Sequence, residues 1–182
     1  MSKVLIHTIV FSPDGVSTAY IYNDIALRLN KEGHKVIVIT TTPHFNALPE
    51  NLKRQPLKAK VGGLWYESMY HGIKVVHIPQ KKFKSTLVRL VSFVYWHVMS
   101  FIAALFIRKL DLILSPSPPL TLGVVNILLA KLKSAKVIYN VQEIYPDLLI
   151  ADGGVRSPLI ICILKLMERF VYRFSDAVTT ID

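Results

Sequence analysis

Apolar positions along the chain alternate between short continuous runs and longer runs with helical spacing. Residues 4–10 and 36–40 are compact apolar runs of the first kind, and they predict buried strands. Residues 19–31 place apolar side chains on one helical face, and Gly33 follows where a helix-terminating glycine is expected. The first forty residues therefore predict a strand, a helix and a second strand.

The same alternation continues to the end of the chain. We predict a hairpin over 65–78, then strands over 111–115, 136–141 and 176–181, and helices over 87–107, 120–132 and 157–174. Residues 43–63 are basic and irregular and predict a long loop. The pattern indicates the α/β class, as a Rossmann-like doubly wound mostly parallel sheet with helices on both faces, and the length indicates one domain over 1–182.

The segment 87–107 contains only Arg89 and His97 as ionisable groups, and it is long enough to cross a bilayer core of about 30 Å. A membrane span would separate strands that the alternation assigns to one sheet, which argues against it. Two interpretations remain. The segment is an ordinary crossover helix with most side chains in the core, or its outer face touches lipid between flanking basic residues.

Charge and hydropathy narrow the classes of partner. Lys and Arg number 22 against 12 acids, giving +10, while a mean hydropathy of +0.40 implies apolar surface that must be buried or docked. Such a charge suits phosphates, nucleic acid or anionic lipid. Nucleic acid is disfavoured because the aromatic residues lie mostly in apolar runs. The single cysteine, Cys162, is predicted to be a core thiol, and the N-terminus shows no signal-peptide pattern, so we expect cytoplasmic residence.

The loop after the first strand is the first candidate site. Gly15 permits a close backbone approach, and Ser17 or Thr18 could cap the following helix, whose N-terminus favours an anion. Helix capping alone would also account for these hydroxyls. The loop lacks both the dinucleotide-binding glycine pattern and the P-loop pattern, so neither cofactor class is indicated.

Two later loops also follow predicted strands. Ser115 and Ser117 stand among three prolines and could face a cleft, although turn chemistry explains them equally well. The loop 141–147 contains Glu143, Tyr145 and Asp147. Glu143 could orient or deprotonate a hydroxyl group; alternatively, Asp147 caps the next segment and Glu143 pairs with a lysine. The six histidines have no metal-site spacing, so no metal is expected.

Six segments form a pattern through their order and spacing: Pro13-Asp14-Gly15, residues 29–36 with Thr42-Pro43, residues 72–75 with Pro79, residues 117–121, residues 142–147 and residues 175–179. Together they resemble the N-terminal domain of family 4 glycosyltransferases. The most similar branch adds sugars to lipid-linked precursors of capsule, O-antigen or colanic acid. The resemblance covers essentially the whole chain.

The resemblance implies a retaining, metal-independent hexosyl- or deoxyhexosyl-transferase of GT-B architecture, with no cofactor and a nucleotide-sugar donor as substrate. This domain would hold the acceptor, and a C-terminal donor-binding domain, absent from these residues, would hold most of the donor. Asp14 and Gly15 would lie at the interdomain cleft near the donor phosphates and the acceptor, and Glu143 would lie beside the reacting hydroxyl with Asp147 nearby. Many members have a histidine where this sequence has Ser115 and Ser117.

The resemblance also implies a polyprenyl-diphosphate-linked glycan acceptor at an anionic membrane surface. We therefore expect a peripheral location on the inner face of the bacterial cytoplasmic membrane. The expected membrane-contact residues are basic: Lys53, Arg54, Lys81, Lys82, Lys84 and Arg89. These 182 residues alone are expected to be inactive. The alternative is a non-catalytic subunit of a split glycosyltransferase whose partner chain supplies the donor site.

Overall fold

A computed structural model describes residues 1–81 and 83–180, so Lys82, Ile181 and Asp182 lie outside the described residues. The chain forms two compact units, Met1–Leu110 and Asp111–Asp182. Each unit consists of strands connected by helices, with parallel pairing between most strands. This confirms the expected fold class, an α/β Rossmann-like arrangement with a mostly parallel sheet and helices on both faces.

The first unit contains five strands in the order β3-β4-β5-β2-β1. They are β1 Lys3–His7, β2 Lys35–Thr41, β3 Lys58–Lys60, β4 Trp65–Tyr70 and β5 Ile73–Ile78, and the helices are α1 Ser17–Lys31, α2 Pro49–Arg54 and α3 Thr86–Leu105. Strands β1, β2 and β5 run parallel, and their apolar side chains form the buried core of this unit. Strands β3, β4 and β5 pair antiparallel.

The predicted hairpin is present. Strands β4 and β5 pair through Tyr70 and Ile73, which leaves His71 and Gly72 as a two-residue turn. Both turn residues have positive φ, 45° at His71 and 82° at Gly72. Tight hairpins favour such turns because their twist matches that of the strands, and Gly72 adopts the conformation without steric cost.

Two sequence predictions for the first unit were wrong in their bounds or content. The first strand ends at His7 instead of continuing to residue 10. The segment 43–63 is not one long loop, because it contains α2, β3 and a short 3₁₀ turn over Val61–Gly63. Elements of three to six residues are too short to produce a recognisable hydrophobic period.

Helix α3 exposes most of its apolar side chains. Its C-terminal half packs on β2 and β5 through Trp96, Ser100 and Ala104, which are almost fully buried. The outer face is exposed, including Leu87, Leu90, Val91, Val94 and Val98. Of the two interpretations, the one that placed most side chains of this helix in the core was therefore wrong. Among the described residues, α3 is the helix long and apolar enough to cross a membrane, judged by length and composition.

Within residues 111–180, the second unit has three parallel strands and three helices. The strands are β6 Leu112–Ser117, β7 Lys136–Val141 and β8 Ala177–Thr180, and the helices are α4 Leu120–Lys133, α5 Asp147–Ala151 and α6 Pro158–Phe174. Helix α4 packs on β6, β7 and α6. The thiol of Cys162 lies on α6 and is exposed, so the predicted core position was wrong.

Candidate functional site

The carboxylate of Asp14 lies in the loop after β1 and is only 3% exposed. Its Oδ1 accepts hydrogen bonds from the main-chain N–H groups of His44 at 3.0 Å and Phe45 at 2.8 Å. Bonds of this kind to an ionised acceptor are stronger than neutral ones. Asp14 therefore fastens the loop after β1 to the loop after β2, at the carboxyl edge of the first unit.

Gly15 permits a close backbone approach, as its position in the loop predicted. A Cβ atom at Gly15 would lie 2.9 Å from the carbonyl oxygen of Asn46, which is closer than side chains tolerate. The Gly15 N–H donates to the Phe45 carbonyl at 3.3 Å, and the Asn46 side-chain amide donates to the Gly15 carbonyl at 3.2 Å. The group that approaches is thus the segment 44–46 of this chain.

The predicted capping by Ser17 or Thr18 is absent. Helix α1 begins at Ser17, the N-cap position is occupied by Val16, and no side chain makes a capping hydrogen bond there. Ser17 is exposed and Thr18 is half-buried. The start of α1 therefore leaves hydroxyl groups and main-chain N–H groups beside the Asp14–Gly15 loop.

A chain of buried hydrogen bonds continues from this loop into the sheet. The Ser12 hydroxyl donates to Gln55 Oε1 at 2.7 Å, and Gln55 Nε2 donates to Ser68 Oγ at 2.8 Å. Ser68 Oγ lies 2.7 Å from His77 Nε2, and His77 Nδ1 lies 3.1 Å from the Thr41 carbonyl. Because a carbonyl only accepts, Nδ1 bears the proton, and Nε2 accepts from Ser68.

His77 remains neutral in this chain. Burial lowers its pKa from the usual value to about 4, and the bond to the Thr41 carbonyl offsets part of that effect. A neutral imidazole with both nitrogens satisfied holds Ser68, and through it Gln55, in a fixed position. The network therefore supports Ser12 in the β1–α1 loop from beneath.

In the second unit, the two predicted cleft serines belong to strand β6. Ser115 pairs with Tyr139 and Ser117 pairs with Val141 across the parallel ladder, so the predicted loop begins later. Ser115 is fully buried, and its Oγ accepts a hydrogen bond from the Asn126 amide at 2.8 Å. Its hydroxyl is therefore a packing group and does not face a cleft.

Ser117 connects β6 to the loop after β7. It is 2% exposed, and its hydroxyl donates to the Glu143 carbonyl at 3.2 Å. Tyr139 also hydrogen-bonds Ser117, and burial raises the pKa of Tyr139 to about 12. The contribution of Ser117 to a site is thus to hold the main chain of the Glu143 loop.

The loop after β7 brings Glu143 and Tyr145 together at the carboxyl end of a parallel strand. The Glu143 side chain is exposed, and it forms no ion pair among residues 1–81 and 83–180. Burial first, and then the negative charges of Glu143 and Asp152, raise the pKa of Tyr145, so its phenol stays a hydrogen-bond donor. Asp147 is the first residue of α5 and lies 3.9 Å from Lys165 Nζ.

The residues expected at a membrane fall on two elements of the first unit. Lys53 and Arg54 end α2, while Lys81, Lys84 and Arg89 lie before or within the first turn of α3, and all five are exposed. Lys82 lies outside the described residues. The second group adjoins the exposed apolar face of α3, whereas α2 is a separate helix.

A cavity of about 550 Å³ beside the β1–α1 loop was not foreseen. Its lining includes Asn23 of α1, Gln55 directly after α2, Tyr70 at the end of β4 and His71 of the β4–β5 turn. One lining residue could have been noticed from the sequence, His71 in the predicted His71-Gly72 turn, whereas no local pattern points to Gln55. In the described part of the chain, no group of three His, Cys, Asp or Glu residues is arranged to hold a metal ion.

No protein-family model and no curated protein matches this sequence. Among solved structures, it is similar to the catalytic domain of starch synthase IV from Arabidopsis thaliana bound to ADP and acarbose, with a TM-score of 0.53 and 13% identity over 78% of this chain and 34% of that chain. It also matches Anabaena Alr3699/HepE in complex with UDP, with a TM-score of 0.48 and 13% identity over 97% and 36% of the two chains.

The likeness to the starch synthase shows the fold, which is that of GT-B glycosyltransferases. The chain spans about a third of the length of either matched structure. Functional residues must therefore be argued from this chain's own side chains.

Proposed function

We propose that this chain is the acceptor-side half of a retaining family 4 glycosyltransferase. It would take part in moving a hexosyl or deoxyhexosyl group from a nucleotide-sugar to a lipid-linked glycan precursor in surface polysaccharide synthesis. The observation that carries the proposal is the GT-B fold in common with the starch synthase catalytic domain. A C-terminal donor-binding domain or a partner chain would supply the donor site.

Glu143 is the candidate catalytic residue. Its carboxylate is exposed at the carboxyl end of β7, where ligands of parallel α/β sheets bind, and no lysine neutralises it in the described chain. A carboxylate in this position can accept a hydrogen bond from the acceptor hydroxyl and orient that hydroxyl for transfer. Tyr145 would donate a hydrogen bond beside it, and Asp147 would add negative charge at the start of α5.

Helix α3 is the candidate membrane contact. Its exposed apolar face adjoins Lys81, Lys84 and Arg89, an arrangement typical of a helix that lies on an anionic bilayer surface. Each such basic residue contributes about 1 kcal/mol near an anionic leaflet, so a few suffice for reversible docking. We therefore propose a peripheral location on the cytoplasmic face of the membrane, where a polyprenyl-diphosphate-linked acceptor would be met.

The experiment is a transfer assay on the protein together with its donor-binding half. Nucleotide-sugars are added to polyprenyl-diphosphate glycans, and the products are identified by mass spectrometry. We expect Glu143→Gln to lower the turnover number by about 100-fold, since the positioned carboxylate is lost. Glu50→Gln, an exposed carboxylate on α2, is the matched control and should leave turnover unchanged.

Two results would count against the proposal. Turnover that is unchanged in Glu143→Gln would remove the role assigned to this residue. The absence of transfer from every nucleotide-sugar would contradict the proposed activity as a whole.

A further inference from the structure

We propose that the cavity beside the β1–α1 loop is a saccharide-binding pocket that holds the glycan end of the acceptor. The assignment of that glycan as the acceptor rests on the proposed function. The pocket lies wholly within the first unit, and its volume of about 550 Å³ suits a small ligand. Its walls come from the β1–α1 loop, α1, α2 and the β4–β5 turn.

The floor of the pocket is polar, buried and rigid. Asn23 is 8% exposed, and its Oδ1 accepts from the Ser12 N–H at 3.1 Å. Gln55 is 4% exposed, and both ends of its amide are fixed by Ser12 and Ser68. Hydrogen bonds to buried neighbours hold both side chains, so binding a ligand would cost little further ordering.

Asn23 is a largely buried lining residue whose amide is used only in part by the protein. Within residues 1–81 and 83–180 its side-chain NH₂ group has no hydrogen-bond partner, although more than nine-tenths of the residue is buried. Asn23 is one of the residues that line the cavity, and a ligand hydroxyl oxygen could accept a hydrogen bond from its NH₂ group there.

The rim of the pocket combines aromatic rings with polar groups. Tyr20 is exposed on α1, and Tyr70 is half-buried, with its ring edge-on to Phe11 at a centroid distance of 5.3 Å. Such side chains present an apolar face and a hydroxyl together. A pyranose ring has the complementary surface, because its C–H groups are apolar and its hydroxyls project from the ring edge.

The charges around the pocket favour a neutral polyol over a phosphate. Asp14 and Asp24 line the pocket together with Arg54, and Asp24 is paired with Arg28 at 2.9 Å. Acidic and basic groups are thus balanced, and a nucleotide would meet carboxylates without an excess of cations. Sugar hydroxyls both donate and accept, so they match carboxylates, amides and a guanidinium in one site.

Arg54 acquires a different role from the one expected at the sequence level. It is exposed, has no ion-pair partner among the described residues, and lines the pocket, whereas its neighbour Lys53 on the same helix does not. The two residues are adjacent, equally charged and both exposed. They form a matched pair that separates pocket binding from a general effect of positive charge.

Saturation-transfer NMR on the 182-residue chain tests the pocket. The probes are free glucose, galactose, N-acetylglucosamine, fucose and lactose. We expect at least one probe to bind, with Kd raised about tenfold by Arg54→Ala through loss of a charged hydrogen bond, and by a similar factor in Tyr20→Ala. Lys53→Ala and Ile21→Ala, neighbours that do not line the cavity, should retain the wild-type Kd.

Failure of this inference and failure of the proposed function give different results. Two results overturn the pocket assignment even if sugar transfer is observed. In the first, Arg54→Ala and Tyr20→Ala bind the sugars as tightly as wild type. In the second, well-folded protein binds none of the probes. If no sugar transfer is detected, but the wild-type chain binds a saccharide and the two pocket variants do not, the transferase proposal is overturned and the pocket is established. Amide NMR spectra of each variant verify that it is folded.

Discussion

Asp14 illustrates how one buried carboxylate organises a site through bonds to the main chain. Its bonds to the main-chain N–H groups of His44 and Phe45 fix the loop that forms one wall of the saccharide pocket. Glu143, in contrast, is exposed and unpaired by any lysine in the described chain. At the residue scale, the first carboxylate supports a loop, and the second is exposed beside the Tyr145 phenol, with which it interacts.

Replacing Asp14 should therefore affect stability directly. Asp14→Ala leaves the half-buried N–H groups of His44 and Phe45 without their acceptor, and we expect a loss of about 1–3 kcal/mol in the free energy of unfolding. Urea denaturation followed by circular dichroism measures it. Asp24→Ala removes an exposed carboxylate with a surface ion pair, and should change stability by less than about 1 kcal/mol. If the two variants lose equal stability, Asp14 does not hold the loop after β1 to the loop after β2 as described.

His77 predicts a pH dependence of stability. Its folded-state pKa is lowered to about 4, below the unfolded value, so the unfolded chain binds the extra proton between these values. The contribution of neutral His77 to the free energy of unfolding is fully present above about pH 6.5 and is lost as the pH falls towards 4. We expect the urea midpoint to decline over this interval.

The matching variant separates His77 from other groups. In His77→Gln the decline should be shallower, with a remainder from His97, whose pKa burial also lowers. If the urea midpoint declines equally steeply with falling pH in wild type and in the variant, His77 does not titrate as assigned.

At the scale of elements, helices α4 and α6 meet through a glycine. A Cβ atom at Gly123 would lie 2.8 Å from Val171 Cγ1 and 2.9 Å from Tyr139 Cε2. The absence of a side chain lets α4 lie close to both α6 and β7. Helix propensity alone would favour alanine at this position by about 1 kcal/mol.

Packing should prevail over propensity at this helix contact. We expect Gly123→Ala to lower the free energy of unfolding by about 1–3 kcal/mol through overpacking, measured by urea denaturation. Gly154→Ala is the control, because its added Cβ would meet its nearest neighbour at an ordinary 3.5 Å. A stabilised Gly123→Ala would indicate that α6 moves away without cost.

The elements also show where sequence patterns were sufficient. Long strands and helices with clear periods, such as β2 and α1, were predicted within a few residues. The short α2 and β3 were missed because too few residues establish a period. In α3 most positions on every face are apolar, so periodicity could not distinguish the face packed on the sheet from the exposed face.

For the whole molecule, net charge and exposed apolar surface act together. The chain carries +10, and α3 presents an unburied apolar face beside basic residues. The carboxyl-end loops were identified from the sequence, since parallel strands place their ligands there. The saccharide pocket could not be, because Asn23, Gln55 and Tyr70 come from three elements whose packing no local pattern encodes.

Membrane docking is a prediction for the whole chain. We expect co-sedimentation with phosphatidylglycerol-containing vesicles, weakened by salt, and little with phosphatidylcholine alone. Val91→Glu on α3, where Val91 is 61% exposed, should reduce binding about tenfold or more. Leu132→Glu on α4, at 66% exposure, is the matched control and should bind like wild type. Equal losses in both variants would exclude α3 as the specific contact.

The position of Cys162 sets a limit on covalent association. It is the single cysteine of the sequence, and its thiol is exposed on α6. Under oxidising conditions each chain can form one intermolecular S–S bond, so cross-linking ends at pairs and produces no larger covalent species. The same stoichiometry means that a maleimide dye attaches one label per molecule, at a known helix, without any substitution in the protein.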